Sequence, residues 1–144
     1  MHGLIKRKLT ATITKRLKTN PAVALLGARQ VGKSTIAGMV LDHIPNSVYL
    51  DLERPADLNK LTDPEAFFNQ FKNRLIVLDE IQRIPEIFPI LRSVIDRHKK
   101  NTQFLILGSA SRDLIKQSSE SLAGRLSYIE ITPFTQPEIP SLDA

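Results

Sequence analysis

An eight-residue segment from Gly27 to Ser34 restricts the possible folds of this chain more than any other part of its sequence. It reads Gly-Ala-Arg-Gln-Val-Gly-Lys-Ser and fits the pattern G-x-x-x-x-G-K-[ST], with an apolar run before it and a helical pattern after it. Glycines let backbone N–H groups curl around phosphate oxygens, while the following helix directs its positive N-terminus at the same anion. The segment therefore predicts a nucleoside triphosphate site, with an ordinary strand-to-helix turn as the alternative.

The positions of this loop have different predicted roles toward ATP and Mg²⁺, the expected ligands. Lys33 is expected to reach the β and γ phosphates, and the hydroxyl of Ser34 to ligate Mg²⁺. Thr35 is expected to be a helix residue near the phosphates that could touch the α phosphate, with a role as a second metal ligand as the alternative. Arg29 and Gln30 occupy variable positions, where we expect exposure, with contact to the γ phosphate as the alternative. The predicted nucleotide-binding residues are Gly27, Ala28, Arg29, Gln30, Val31, Gly32, Lys33, Ser34 and Thr35.

Short apolar segments, each bounded by polar or turn residues, predict five strands. They are residues 22–26, 48–52, 75–78, 104–107 and 127–131. Helical patterns lie between them: Asp63 is a predicted N-cap with Pro64 at the first helical position, and Ile84 to Ile95 form a pattern whose prolines delay the helix start. Because strands alternate with helices and are apolar throughout, we predict an α/β fold with a parallel five-stranded sheet covered on both faces.

Two adjacent acids follow the apolar run 75–78. Ligands bind at the carboxyl ends of strands in open parallel sheets, so Asp79 and Glu80 complete a predicted NTPase site. We expect Asp79 to hold Mg²⁺, commonly through water, and Glu80 to orient or deprotonate the attacking water. The pair favours hydrolysis of the triphosphate over its transfer to an acceptor. Two surface acids after a strand are the alternative.

Polar residues elsewhere are candidates for contacts with the reacting phosphate. Ser109 follows the run 104–107 and could sense the γ phosphate or fix the water, although Gly-Ser pairs are also ordinary loop residues. Arg125 is a candidate to stabilise transition-state charge, in cis or across a subunit boundary, with a structural ion pair as the alternative. Arg112 and Gln82 are weaker candidates. The predicted catalytic residues are Glu80, Lys33, Ser109 and Arg125, and the predicted metal ligands are Ser34 and Asp79.

The N-terminal residues predict a basic amphipathic helix that Pro21 ends. Apolar residues recur every four positions, at Ile5, Leu9, Ile13 and Leu17. Basic residues lie mostly off this stripe: Lys6, Arg7, Lys8, Lys15, Arg16 and Lys18. The first 40 residues hold eight of the 20 Lys and Arg and none of the 15 Asp and Glu. We interpret the segment as a packing helix with a solvated face, and contact with nucleic acid or a membrane surface is the alternative.

Length and composition exclude several classes of protein. The 144 residues have the size of one domain. The absence of cysteine excludes disulfides and thiolate metal sites, and makes a reducing cytoplasm the expected location. No apolar run approaches the roughly 20 residues needed to cross a bilayer, so we expect no membrane span. Aromatic residues make up 6%, which argues against base stacking by a nucleic-acid-dependent motor.

Several strand-end motifs occur together in one order: "LLGARQVGKST", "VYLDLE", "LIVLDEIQRIPEIFPILRSVID", "FLILGSAS" and "SESLAGRLSYIEITPF". In this combination, over nearly the whole chain, the sequence resembles the AAA-type predicted ATPases of archaea and bacteria that carry an additional C-terminal domain of unknown function. The resemblance implies a P-loop NTPase fold of the additional-strand, catalytic-glutamate type, in which the strand ending at Ser109 lies between the phosphate-loop strand and the Asp79 strand. It assigns Lys33 and Ser34 to the phosphate loop, Asp79 and Glu80 to the acidic pair, and Ser109 to the polar sensor.

The resemblance also predicts how the chain is divided. We expect a basic helix over residues 1–20, an AAA-type ATP-binding core over 21–134 and a C-terminal tail over 135–144. Proteins of this kind usually continue further, so we expect the C-terminal lid to be missing, and the partners to be the missing C-terminal domain or further copies of the chain. The expected function is ATP binding with slow Mg²⁺-dependent hydrolysis that drives a conformational change. The alternatives are an ATP-binding switch without useful hydrolysis and a nucleic-acid-dependent motor fragment.

Overall fold

A computed structural model of the chain describes residues 2–28 and 32–131. Three residues of the phosphate loop, Arg29, Gln30 and Val31, lie outside the described residues, as do the end of the expected core, 132–134, and the expected tail, 135–144. The helices are α1 (His2–Thr19), α2 (Lys33–Leu41), α3 (Pro55–Asn59), α4 (Pro64–Gln70), α5 (Phe88–His98) and α6 (Arg112–Ser121). The strands are β1 (Ala22–Gly27), β2 (Val48–Asp51), β3 (Ile76–Asp79), β4 (Phe104–Gly108) and β5 (Leu126–Ile131).

All five strands pair in parallel, in the order β2-β3-β4-β1-β5. This arrangement confirms the predicted α/β fold of the P-loop NTPase type. It also confirms that the strand ending before Ser109 lies between the phosphate-loop strand and the strand that ends in Asp79. The carboxyl ends of β1, β3 and β4 are therefore neighbours at one edge of the sheet.

Helices cover both faces of the sheet, because alternate residues of each strand point to opposite faces and both sets are apolar. On one face, α1 and α2 pack over the odd-numbered residues of β1, β3 and β4, such as Val77 and Leu105. On the other face, α4, α5 and α6 contribute Phe68, Leu91 and Leu114 to a core that contains the even-numbered residues of these strands. The position of a residue along β1, β3 or β4 therefore determines whether its side chain packs against α1 and α2 or against α4, α5 and α6.

Helix α1 runs from one edge of the sheet to the other, and its 18 residues span about 27 Å. Leu9, Ile13 and Leu17 are buried against the sheet, as the apolar stripe predicts. Arg16 lies half-buried and donates to the carbonyl oxygen of Tyr128 at 2.9 Å, which ties the helix to β5. The helix therefore packs on the core, as the preferred interpretation of the basic segment requires.

Helices α4 and α5 begin where the sequence indicates. Asp63 caps α4 by accepting from the backbone N–H of Ala66 at 3.3 Å, with Pro64 at the first helical position. Two 3₁₀ turns, Ile81–Arg83 and Pro85–Ile87, precede α5, which begins at Phe88 as the prolines predict. Within the described residues, every helix is too short or too polar to span a lipid bilayer.

Candidate functional site

The phosphate loop joins β1 to α2 at the carboxyl edge of the sheet. Gly32 is the N-cap of α2 and has φ 83°, a left-handed conformation that glycine adopts without the steric cost that a Cβ brings. The backbone can therefore turn directly into the helix, which leaves the N-terminal N–H groups of α2 directed toward the loop. Ser34 and Thr35 lie exposed on the first turn of α2.

Lys33 is buried, with 5% of its surface exposed. Its ammonium group donates to the carbonyl oxygens of Gly27 at 2.5 Å and Ala28 at 3.0 Å. The lysine therefore curls back under the end of β1, so its charge lies beside the backbone that the loop pattern assigns to phosphate binding. The loop pattern predicted that Lys33 would lie at the phosphate-binding loop, but it did not predict that the side chain would be buried.

Ser34 and Asp79 meet although 45 residues separate them, since the Ser34 hydroxyl donates to Oδ2 of Asp79 at 3.1 Å. The alternation of β3 explains why Asp79 makes this contact. Val77, two residues earlier, faces the core under α1 and α2, and Asp79 therefore points to the same face as the helix that carries Ser34. The two predicted metal ligands are thus brought together.

Tyr49 on β2 is a member of this site that the sequence analysis did not identify. Its hydroxyl donates to the same Oδ2 atom of Asp79. Burial, followed by the hydrogen bond to Asp79, raises the pKa of Tyr49 well above its usual range, so the hydroxyl stays protonated and remains a donor. Tyr49 pairs with Val77 in the β2–β3 register, and its long side chain extends along the strand to Asp79.

Glu80 departs from the extended backbone of β3. Its φ of 62° and ψ of 49° place a non-glycine residue in the left-handed region, an uncommon conformation that is often found at functional sites. The chain turns there into the 3₁₀ turn Ile81–Arg83, and the alternation along β3 already directs Glu80 away from the face that Asp79 shares with α2. The two adjacent carboxylates consequently have different partners.

Glu80 is linked to the end of β4 through Gln82. The amide nitrogen of Gln82 donates to Oε2 of Glu80, and the amide oxygen accepts from the backbone N–H of Ser109 at 3.3 Å. Ser109 is half-buried directly after β4, at the edge where the phosphate loop lies. The structure therefore brings the predicted sensor residue and the predicted water-activating acid into one network.

Arg125 lies at the opposite edge of the sheet. It immediately precedes β5, and its carbonyl oxygen accepts from the N–H of Ala22 at the start of β1. Its guanidinium forms two hydrogen bonds with Asp96 of α5, at 2.6 and 2.9 Å. At about 3.3 Å per residue, the strands separate the two edges by roughly 15–20 Å. Within one copy the structure thus favours the ion-pair alternative over a role in cis, and a role across a subunit boundary stays a prediction.

Lys6 of α1 also approaches the phosphate loop. A Cβ atom on Gly32 would lie 3.4 Å from Cε and 3.5 Å from Nζ of Lys6, so this ammonium lies directly beside the loop backbone. The periodicity of α1 placed Lys6 off the apolar stripe but gave no indication of which edge of the sheet it would reach. A second lysine therefore accompanies Lys33 at the loop.

The donor set suits Mg²⁺ bound together with phosphate. Hard oxygen ligands are available from Ser34 and Asp79, and Mg²⁺ usually takes one or two protein oxygens while retaining water and substrate phosphate. Among the described residues, no group of three or more carboxylates or histidines is arranged to hold a metal ion. A metal at this edge would thus depend on phosphate oxygens to complete its coordination.

Comparison with known proteins gives a consistent result. The family model described as AAA domain matches residues 19–140. Uncharacterized proteins of Mycobacterium bovis and Mycobacterium tuberculosis are each 40% identical over 136 residues, which cover 94% of this chain and 30% of the relative. An uncharacterized protein of Methanocaldococcus jannaschii is 27% identical over 108 residues, or 61% of this chain and 25% of the relative. The chain thus spans less than a third of the length of these curated relatives.

Proposed function

The chain belongs to the AAA domain family, and on that premise we propose that it binds ATP with Mg²⁺ and hydrolyses it slowly, coupling nucleotide state to a conformational change. The observation that carries the proposal is the 3.1 Å hydrogen bond between Ser34 and Asp79, which joins the phosphate loop to the acidic end of β3. An ordinary strand-to-helix turn does not require a hydroxyl on its helix to contact a carboxylate at the end of another strand.

Each residue of the site has a specific role in this proposal. The loop from Gly27 to Thr35, including Arg29, Gln30 and Val31, wraps the phosphates with its backbone N–H groups, and Lys33 neutralises the β and γ phosphates. Ser34 and Asp79 would hold Mg²⁺, which would supply positive charge to stabilise the negative charge of the phosphates.

Glu80 accepts a proton from the attacking water as the water oxygen bonds to the γ phosphorus. The bond between that phosphorus and the bridging oxygen breaks, and ADP and inorganic phosphate leave. Ser109 contacts the γ phosphate or the water. The separate partners of Asp79 and Glu80 support this division of labour, since one acid is directed at α2 and the other at the end of β4.

Binding and turnover must be measured separately to test the proposal. Titration with a fluorescent ATP analogue gives affinity, and phosphate release under single-turnover conditions gives the rate of hydrolysis. Binding that requires the loop lysine together with Mg²⁺-dependent phosphate release would support the proposal. Binding without release, even with Mg²⁺ in excess, would instead favour an ATP-binding switch.

A second candidate function is contact with nucleic acid by α1. Arg7, Lys8, Lys15 and Lys18 are exposed on this helix, which contains no acidic residue. Such binding would weaken steeply with rising salt, because it depends on the release of counterions from phosphates. Anisotropy titrations with labelled DNA and RNA at several salt concentrations test it, and affinity that is independent of salt would exclude it.

A further inference from the structure

Gln82 occupies the space between the proposed water-activating acid and the proposed γ-phosphate sensor. It lies half-buried in the 3₁₀ turn that follows Glu80, and its side-chain amide has a partner at each end. The nitrogen donates to Oε2 of Glu80, and the oxygen accepts from the N–H of Ser109 at 3.3 Å. One side chain thus links the end of β3 to the end of β4.

The chemistry of the two partners fixes the orientation of this amide. A carboxylate only accepts hydrogen bonds and a backbone N–H only donates, so the NH₂ group must face Glu80 and the C=O group must face Ser109. Rotating the amide by half a turn would place oxygen against oxygen and two donors against each other. The amide therefore has one favourable position, which restricts the rotamer of Glu80 as well.

Gly108 makes room for this link. A Cβ atom at this position would lie 2.8 Å from Cγ2 of Ile81, 3.0 Å from Oε1 of Gln82 and 3.1 Å from Cδ2 of Leu114. The first distance is shorter than carbon atoms tolerate, so any larger residue would have to displace the side chain of Ile81. The missing side chain at the last position of β4 allows Gln82 to pass over the strand end and reach Ser109.

We propose that Gln82 is a positioning residue, which holds the Glu80 carboxylate through Oε2 and couples it to the backbone at Ser109. Among the described residues, Oε1 of Glu80 accepts no hydrogen bond and is available to a water molecule. A shift of Ser109 on γ-phosphate contact would move the amide and, with it, the carboxylate. This inference rests on the proposed function, since it assigns a role to Gln82 only if Glu80 activates water.

Nuclear magnetic resonance tests the two links without turnover. Gln82→Ala should shift the backbone amide resonance of Ser109, and Glu80→Ala should shift the side-chain NH₂ resonances of Gln82. Gln117→Ala, which removes an exposed amide from α6, is the matched control and should shift neither. If either resonance stays in place in the relevant variant, the network does not exist in solution and the proposal is overturned.

Single-turnover hydrolysis tests the positioning role. We expect Gln82→Ala to bind MgATP with the affinity of the parent and to hydrolyse it roughly 10- to 100-fold more slowly, as expected for a misplaced reacting group. Gln82→Glu retains an oxygen that accepts from the N–H of Ser109, but it places a second carboxylate beside that of Glu80, and the two negative charges repel each other. Its rate should therefore fall most at low to neutral pH, with the acidic limb of the pH–rate profile moved to higher pH.

The outcomes separate this inference from the proposed function. If Glu80→Gln abolishes hydrolysis while Gln82→Ala retains the parent's rate, only the positioning role is wrong. If Glu80→Gln hydrolyses ATP at the parent's rate, the assignment of Glu80 fails and the role of Gln82 fails with it. A purely structural role would lower the melting temperature of Gln82→Ala and weaken nucleotide binding in parallel, which would also overturn the proposal.

Discussion

The two edges of the sheet carry acidic side chains in different electrostatic settings. At the carboxyl edge, Asp79 and Glu80 accept hydrogen bonds from neutral groups, the hydroxyls of Ser34 and Tyr49 and the amide of Gln82. At the amino edge, Asp96 accepts two hydrogen bonds from the Arg125 guanidinium. Neutral donors hold a carboxylate in place but leave its charge uncompensated, whereas an arginine neutralises it.

This difference indicates what each edge can do. Within the described residues, neutral donors hold the two carboxylates beside the phosphate loop. Such a pair suits a divalent cation, which needs negative charge, and a water molecule, which needs a proton acceptor. A compensated ion pair needs no further ligand and contributes mainly to the attachment of α5 to the start of β5. The comparison predicts that substitutions at the carboxyl edge change chemistry or binding, and that substitutions at the amino edge change stability.

The largest effect is expected for Glu80→Gln, which retains the shape of the side chain but cannot accept a proton from water. Hydrolysis should fall by roughly 10²–10⁴-fold, as is typical of general-base catalysis, while MgATP binds as tightly as in the parent. Single-turnover phosphate release and analogue titration give the two quantities. Glu120→Gln, an exposed position on α6, is the control and should retain the parent's rate.

Lys33→Met should reduce ATP affinity by roughly 10- to 150-fold, since a hydrogen bond to a charged group contributes about 1.5–3 kcal/mol. Methionine fills much of the buried space while removing the ammonium. The measurement is titration with a fluorescent analogue, with circular dichroism to verify folding and Lys116→Met on α6 as control. Equal affinity in the Lys33 variant would refute the phosphate-loop assignment.

Lys6 and Lys15 lie on the same helix, α1, and allow the carboxyl and amino edges of the sheet to be compared with two matched substitutions. Lys6 lies beside Gly32 at the loop, whereas Lys15 is exposed near the end of α1 that approaches the amino edge. Lys6→Gln should weaken ATP binding about two- to fivefold, the size expected for a screened contact near the surface. Lys15→Gln should leave it unchanged. An equal loss in both variants would indicate a general effect of net charge.

Arg125→Met should leave single-turnover hydrolysis unchanged and lower the melting temperature by at most about 3 °C at neutral pH. The hydrogen bond from Arg125 holds the pKa of Asp96 below its ordinary value of 3.8. A lowered folded-state pKa contributes stability above the unfolded value, and this contribution is lost as pH falls through the folded value. The difference in melting temperature from the parent should therefore disappear in acid.

Arg7→Met, which removes an exposed arginine from α1, serves as the control for Arg125→Met. A strong loss of hydrolysis in the Arg125 variant would contradict the structural role and indicate action across a subunit boundary. Mixing Arg125→Met with Glu80→Gln would then restore activity, because one mixed interface would combine an intact Glu80 with an intact Arg125.

Local patterns determined much of the fold. The loop spacing, the apolar runs and the Asp63-Pro64 start of α4 were predicted because each depends on residues close together in sequence. The alternation along β3 could also have indicated that Asp79, and not Glu80, faces α2. Likewise, a residue that precedes a strand of a parallel sheet lies at its amino edge, so the position of Arg125 could have been deduced from the predicted fold.

Only the tertiary structure decided which of these segments meet. The contacts of Tyr49 with Asp79 and of Gln82 with Ser109 join residues 30 and 27 positions apart. They depend on strand order, on the β2–β3 register and on the left-handed turn at Glu80. A periodic pattern fixes the face on which a side chain lies, because it follows from the geometry of one helix or strand. It cannot fix the partner opposite, since that depends on the packing of all the elements together.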